Sequence, residues 1–258
     1  KWPSEVGCPI YSRTISQITR IPFYINNSEI LNTIFVTCRG TCSFDDLFTD
    51  LMGNCVEVCG GRMHQGVYDT ASYIFYNSQS FIIRLYRKYN RQIVFTGHSL
   101  GGAVASCLCE MMHMAFPDVN CRCIAIAPPP TVDLNLWHAT CEHTKSFILE
   151  GDCIPFLSLE NCLNISVEIL PIKLANFVNK FAHKTLKQTS NGSFDPAIQV
   201  QLCPPGQLYL LDVDETGRVY LKHIEPDYFD RLVRGLQDCI HAMDNYVSSI
   251  ENYFKYHT

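Results

Sequence analysis

The hexapeptide at residues 97–102 (GHSLGG) constrains the fold more than any other part of the chain. It follows the apolar run 92–96 and precedes the small and apolar residues 103–108, which are typical of a helix. A Gly-x-Ser-x-Gly sequence between a strand and a helix predicts a sharp, strained turn that lifts the serine hydroxyl clear of the sheet. Side chains at Gly97 or Gly101 are expected to collide with the neighbouring strand and helix. We therefore predict that Ser99 is a nucleophile.

Length and composition are those of an ordinary globular protein. The chain has 258 residues, of which 47% are hydrophobic and 17% charged, enough for one large domain with a substantial core. A formal net charge of −5 argues against general nucleic-acid binding. No apolar run reaches the roughly 18 residues that a membrane span needs. Without repeats or linkers, we expect a single domain over residues 1–258.

The 14 cysteines are many for this length. Neither Cys107/Cys109 nor Cys121/Cys123 has zinc-finger spacing to downstream histidines, and most others lie singly in apolar segments. We therefore expect no metal site and a reducing compartment, either the cytoplasm or the cytoplasmic face of a membrane. The three cysteines within residues 42–59 are close enough in sequence to bridge if the protein is exported. The start of the chain has neither a methionine nor an apolar leader, as expected of a trimmed or processed piece.

Strand-like runs alternate with helical patterns and predict an α/β fold. The strand-like runs are residues 33–38, 92–96, 121–127, 146–150, 207–211 and 218–221. The helical patterns are residues 66–90, 101–116 and 227–254. The last two strands flank Asp-Glu-Thr-Gly at 214–217, which is a hairpin signature. The alternation implies a mainly parallel central sheet with helices on both faces.

A serine nucleophile needs a base that is oriented by a third group. In the α/β-hydrolase arrangement the order is Ser, then Asp or Glu, then His, each beyond the C-terminal end of a strand. Asp152 directly follows the strand at 146–150 and is the candidate acid, with Asp133 as its rival. His223 follows the last strand and is the candidate base. His98 adjoins the nucleophile, but we expect it to point away from Ser99 and to pack.

An oxyanion hole needs two backbone N–H groups that face the developing charge. Leu100, directly after the nucleophile, is expected to supply one. The second is expected from the loop after an earlier strand, where Arg39-Gly40-Thr41 follows the run 33–38. Gly40 permits a tight bend there, and Thr41 offers both an N–H and a hydroxyl.

These segments together resemble the class 3 lipase family. Residues 38–51 (CRGTCSFDDLFTDL) resemble its RGT-x-S-x-x-D-x-x-x-D-L block, and residues 64–66 (HQG) its H-x-G. The hexapeptide at 97–102 matches the family's sequence around the serine. Residues 150–158 (EGDCIPFLS) resemble its G-x-D-x-[IV]-P-x-L-S segment. Residues 203–206 (CPPG) and 223–228 (HIEPDY) complete the order, so the resemblance spans about residues 30 to 235.

The resemblance implies an α/β-hydrolase fold and a serine lipase that cleaves an acyl ester of a glycerolipid through an acyl-enzyme, without a cofactor. It implies Ser99, Asp152 and His223 as the triad, with Thr41 and Leu100 in the oxyanion hole. Residues 127–129, the Asp152 segment and residues 203–206 are most similar to diacylglycerol lipases, which favours diacylglycerol over triacylglycerol, monoacylglycerol or phospholipid sn-1 esters. The segment between residues 152 and 223 lacks the long insert of animal diacylglycerol lipases, and residue 222 is Lys where relatives often have Asp.

Two segments are candidates for transient contact with a lipid interface. Residues 43–52 resemble the lid helix of fungal relatives and carry an apolar stripe of Phe44, Leu47, Phe48 and Leu51. Residues 173–187 place an apolar stripe beside a row of lysines at helical period. For each segment the alternative is a helix packed on the surface of the domain.

Two other functions remain open. One is a catalytically silent lipase-like module for binding or signalling, against which the complete Ser, Asp and His order argues. The other is a phospholipase A1 or an acyltransferase, which uses the same triad.

Overall fold

The structure is a computed structural model, and it describes residues 3–14, 21–40, 54–157, 201–230 and 241–257. The strands are β1 (Pro9–Arg13), β2 (Phe23–Ser28), β3 (Thr33–Cys38), β4 (Cys55–Val58), β5 (Gly61–His64), β6 (Gln92–His98), β7 (Cys121–Ile126), β8 (Thr144–Leu149), β9 (Gln207–Val213) and β10 (Val219–Ile224). The α-helices are α1 (Gln65–Tyr89), α2 (Leu100–Ala115), α3 (Leu134–Thr140) and α4 (Met243–His257). Short 3-10 helices lie at Ile154–Phe156 and Pro226–Asp230.

Eight strands form one sheet in the order β1-β2-β3-β6-β7-β8-β9-β10. The five central strands from β3 to β9 are parallel. The pairs β1–β2, β2–β3 and β9–β10 are antiparallel, and β4 and β5 form a separate two-stranded sheet. The predicted mainly parallel sheet is therefore confirmed, with antiparallel strands added at both edges.

Apolar residues cover both faces of this sheet. Because successive residues of a strand point to opposite faces, Ile148 and Leu210 belong to one buried cluster and Leu149 and Leu211 to another. The first cluster includes residues of α1 and α2, and the second includes Tyr246 of α4. The predicted strands and first two helices are found within three residues of their expected bounds.

The C-terminal helix differs from its prediction. The sequence predicts one helix over residues 227–254, whereas α4 begins only at Met243, after a 3-10 helix at Pro226–Asp230. His241 is not helical, and both its ring and its backbone carbonyl are held by other parts of the chain. These tertiary contacts outweigh the helical propensity of the segment.

The hairpin at the end of the sheet has a consequence for the site. The Asp214 carboxylate accepts hydrogen bonds from the N–H groups of Thr216 and Arg218, as the Asp-Glu-Thr-Gly turn predicts. Since β10 runs antiparallel to β9, Ile224 pairs with Leu208 near the start of β9. The C-terminal end of β10 therefore lies at the edge of the sheet where the parallel strands begin.

Ten of the described cysteines are free thiols, and six of these are buried. Cys153 is disulfide-bonded. None of the helices in the described ranges is both long enough and apolar enough to cross a membrane.

Candidate active site

The junction between β6 and α2 is a sharp turn at Ser99, the elbow. Its backbone has φ +58° and ψ −131°, a conformation that residues other than glycine rarely adopt. The Ser99 N–H donates to the carbonyl of Ile126 at 2.9 Å, and the Ser99 carbonyl accepts from the N–H of Gly102 at 2.8 Å. The strained turn is therefore held by the neighbouring strand and by the first turn of the helix.

Glycine is required around this turn because backbones approach closely. A β-carbon on Gly97 would lie 2.3 Å from the backbone of Gly101, which confirms the predicted collision. A β-carbon on Gly40 would lie 2.5 Å from the carbonyl oxygen of His98. The end of β3 approaches the turn at Ser99 so closely that only glycine fits at position 40. The residue that precedes Thr41 therefore lies against this turn.

Asp152 follows β8 and is fully buried, with 0% of its surface exposed. One carboxylate oxygen, Oδ1, accepts from the N–H of Ile154 at 2.8 Å. The other, Oδ2, accepts from His241 Nδ1 at 2.9 Å and from the Tyr246 hydroxyl at 2.6 Å. Three donors thus compensate for the burial of this charged group.

His241 is the histidine that the structure places against Asp152. A carboxylate accepts hydrogen bonds, so Nδ1 carries the proton and Nε2 keeps the lone pair. The His241 ring stacks on His98, with 4.4 Å between ring centroids and 28° between ring planes. His98 Nε2 also donates to the His241 carbonyl at 2.9 Å. Because His98 directly precedes Ser99, these contacts fix His241 beside the elbow.

Tyr246 supports the same carboxylate from α4. Its hydroxyl donates to Asp152 and accepts from the N–H of Leu149 at 2.9 Å. Burial and the Asp152 charge raise the pKa of Tyr246 well above its ordinary value. The hydroxyl therefore stays protonated and remains a donor to Asp152 at neutral pH.

His98 packs, as expected, and stays neutral. Burial and the neighbouring His241 ring lower the pKa of His98 from 6.5 to about 4. The unfolded chain therefore binds a proton at this residue between pH 6.5 and 4 that the folded chain does not bind, and stability falls as the pH is lowered through this window. We expect His98→Gln to show a smaller loss of stability between pH 7 and pH 4.5 than the wild type. Urea unfolding at both pH values measures this difference, and equal losses would contradict it.

His223 lies elsewhere, so its predicted pairing with Asp152 is wrong. It is on β10 with its side chain half exposed, and its Nδ1 is 3.6 Å from Glu225. His223 pairs with Tyr209 of β9, and Tyr209 pairs with Phe147 in the middle of β8. His223 therefore does not lie at the C-terminal end of the parallel strands, where Asp152 follows β8. The rule that places the base beyond the end of a strand holds for parallel strands, and β10 is antiparallel. The Asp-Glu-Thr-Gly hairpin at 214–217 is the sequence signal that makes β10 antiparallel and so argues against His223 as the base.

Asp133, the rival acid, has a structural role. Its Oδ1 accepts from the N–H of Leu136 at 2.9 Å and so caps the N-terminus of α3. Its own N–H donates to the carbonyl of Arg62 at 2.9 Å. These contacts place Asp133 beside the β4–β5 sheet and favour Asp152 as the acid.

The other predicted site residues are only partly described. Leu100 is the first residue of α2 and is buried, which puts its N–H next to Ser99. Thr41 lies outside the described residues. The same is true of Phe44, Leu47, Phe48 and Leu51, and of the basic segment 173–187.

A cleft of about 290 Å³ lies beside the C-terminal end of β10. Its walls include Leu134, Trp137 and Glu225. The cleft is separate from the candidate site, because its lining does not include Ser99, Asp152 or His241.

Comparison with known proteins places this geometry in context. A family model described as Lipase (class 3) matches residues 35–162, a range that contains Ser99 and Asp152. Mouse diacylglycerol lipase-beta is 30% identical over 184 residues, which cover 66% of this chain and 26% of that protein. The chain thus spans about a quarter of the length of this relative.

Solved lipase structures share the fold. A triacylglyceride lipase from Rhizomucor miehei superposes with a TM-score of 0.63 at 15% identity, over 93% of this chain and 84% of that chain. A triacylglycerol lipase described as having a serine protease triad in its catalytic centre superposes with a TM-score of 0.64 at 15% identity, over 90% of this chain and 78% of that chain. The predicted α/β-hydrolase fold is thereby confirmed.

Proposed function

Because the chain belongs to the class 3 lipase family, we propose that it is a serine lipase that hydrolyses an acyl ester of a glycerolipid. The observation that carries the proposal is the buried Asp152–His241 pair, joined at 2.9 Å and stacked beside the strained turn of Ser99. In this proposal Ser99 is the nucleophile, His241 the base and Asp152 the group that orients it. His241 thus takes the role that the sequence suggested for His223.

The proposed acylation step uses the tautomer of His241. The Ser99 hydroxyl oxygen attacks the ester carbonyl carbon, and its proton passes to Nε2 of His241. Asp152 keeps the proton on Nδ1 and stabilises the imidazolium that forms. His241 then gives its Nε2 proton to the glycerol oxygen as the ester bond breaks, which leaves the acyl group on Ser99.

Deacylation repeats these steps with water. His241 takes a proton from water, which attacks the acyl carbonyl, and returns it to Ser99 as the fatty acid leaves. In both steps the N–H of Leu100 is proposed to stabilise the oxyanion. Thr41 is the proposed second donor, which the close packing of Gly40 against His98 supports.

We propose diacylglycerol as the favoured substrate. The similarity to mouse diacylglycerol lipase-beta supports it, and the likeness to triacylglycerol lipases makes triacylglycerol the alternative. Acyl chains of this kind reside in micelles or membranes, so transient contact with a lipid interface is part of the proposal. Residues 43–52 and 173–187 are the candidate segments for this contact.

Probe labelling and a substrate panel test the proposal. A fluorophosphonate probe should label the wild type at Ser99, and fatty-acid release should be fastest with micellar diacylglycerol among mono-, di- and triacylglycerols and phosphatidylcholine. Absence of labelling would favour a silent binding module. Transfer of the acyl group to an added alcohol in preference to water would favour an acyltransferase.

We also propose a location in the cytoplasm or at the cytoplasmic face of a membrane. Ten of the eleven described cysteines are free thiols, which supports a reducing compartment, and Cys153 in its disulfide is the exception. Thiol quantification on protein isolated under alkylating conditions tests this location. A mainly oxidised set of cysteines would contradict it.

The two aspartates give a matched pair of variants. Asp152→Asn should lower turnover by about 10⁴-fold, because an amide NH₂ at this position favours the wrong tautomer of His241. Asp133→Asn should leave turnover within about twofold, because asparagine caps a helix as well as aspartate does. Steady-state kinetics on a soluble short-chain ester distinguishes them. Severe loss in Asp133→Asn with near-normal Asp152→Asn would transfer the acid role to Asp133.

A further inference from the structure

One cysteine of each Cys-x-Cys pair meets a histidine at the edge of the sheet opposite Ser99. The sulfur atoms of Cys109 and Cys121 and one ring nitrogen of His113 all lie within 4.8 Å of one another. Cys109 and His113 are four residues apart on α2, so their side chains share one face of the helix. Cys121 begins β7. Cys109 is ten residues along α2 from Ser99, or about 15 Å at the helical rise.

A backbone carbonyl fixes the tautomer of His113. Its Nε2 lies 2.9 Å from the carbonyl oxygen of Cys121. A carbonyl oxygen only accepts, so Nε2 carries the proton and Nδ1 has the free lone pair. Metal-binding histidines usually donate their other ring N–H to a carbonyl or carboxylate in this way. The ring is also braced by His143, which stacks on it with 3.5 Å between ring centroids.

The surroundings of the cluster favour a cation. Cys109 and Cys121 are buried free thiols. Glu110 directly follows Cys109, and one of its carboxylate oxygens, Oε1, is buried without a hydrogen-bond partner among the described residues. A positive ion at the cluster would stabilise the negative charge of this neighbouring carboxylate.

We propose that Cys109, His113 and Cys121 form a binding site for a thiophilic metal ion, for which Zn²⁺ is the best-suited ion. Zn²⁺ prefers thiolate and imidazole ligands in tetrahedral geometry. Bond lengths of about 2.0–2.3 Å place such ligands about 3.5–3.8 Å apart, so side-chain shifts of about an ångström close the site. Water can take the fourth position because His113 is only half-buried. Binding releases the two thiol protons.

The site has a structural role in this proposal. It joins the last turns of α2 to the first residue of β7, at the edge of the sheet away from the elbow. Bound metal therefore raises stability and takes no part in ester cleavage. The sequence did not reveal this metal site because each Cys-x-Cys pair contributes only one of its two sulfur atoms to it.

Metal titration of the full chain tests the proposal. Protein prepared with a reductant and a chelator, then freed of both, is titrated with Zn²⁺ against a chromophoric chelator and separately with Co²⁺ to detect thiolate-to-cobalt charge transfer. The wild type should bind one equivalent, and both His113→Ala and Cys109→Ser should weaken binding by about 100-fold. Cys107→Ser is the matched control, because Cys107 is an equally buried free thiol on the same helix, outside the cluster.

Zn²⁺ should raise the thermal unfolding midpoint of the wild type and of Cys107→Ser, but not that of His113→Ala. The part-exposed His113 makes this variant the one expected to fold normally, and circular dichroism checks that it does. The proposal is overturned if the wild type shows no cobalt–thiolate band or if His113→Ala binds as tightly as the wild type. Equal loss of binding in Cys107→Ser would also overturn it.

Discussion

Ser99→Ala is expected to lower the turnover of a soluble short-chain ester by roughly 10⁶-fold, because members of a catalytic triad act as a unit. The fold should be retained. The hydrogen bonds that hold the turn come from the backbone of Ser99, and alanine keeps them. Alanine also meets the same strain at φ +58° as serine does. Steady-state kinetics gives the loss, and matching thermal unfolding midpoints show that the elbow is intact.

Residual turnover above about a tenth of the wild-type value would contradict the assignment of Ser99. Loss of fluorophosphonate labelling in the same variant provides an independent measurement, since the probe reacts with the nucleophile and requires no lipid substrate.

The second large effect separates two histidines. His241→Ala should lower turnover by an amount similar to Ser99→Ala, because in the described ranges His241 is the histidine that lies beside both Asp152 and the Ser99 turn. His223→Ala should stay within about threefold of the wild type, because its half-exposed side chain contacts Glu225 and the edge of the Tyr209 ring rather than Asp152. Kinetics of the two variants on the same soluble ester decides between the structural and the sequence-based assignments.

His241→Ala also removes one donor from the buried Asp152, which should reduce stability by about 1–3 kcal/mol. The comparison is therefore made well below the unfolding midpoint of the variant. An inactive His223→Ala beside an active His241→Ala would return the role of base to His223.

The central part of the site was predictable because its signals are local. Backbones approach so closely at the elbow that a β-carbon on Gly97 would collide with Gly101. This requirement for glycine appears directly in the Gly-x-Ser-x-Gly motif. Asp152 was predictable because it directly follows a parallel strand, whose C-terminal end lies at the same edge of the sheet as Ser99.

The proposed base was not predictable in the same way. His241 comes after the antiparallel strand β10 and directly before α4, and no short motif surrounds it. Its position depends on stacking with His98 and on the docking of Tyr246, contacts between residues 89 to 143 positions apart in the chain. The helical pattern over 227–254 predicted one continuous helix that would include His241, whereas His241 is not helical. The cysteine–histidine cluster escaped prediction because its members come from separate elements.

The contacts of Asp152 divide the proposed catalytic machinery between two parts of the chain. The proposed nucleophile and acid directly follow strands of the central sheet, whereas the proposed base and the tyrosine donor both belong to residues 241–246. Local opening of this segment withdraws the proposed base and a donor to Asp152 together, while the eight-stranded sheet remains folded. On heating, α4 is expected to detach from the sheet before the sheet itself unfolds. Activity should therefore be lost at a lower temperature than the bulk of the secondary structure.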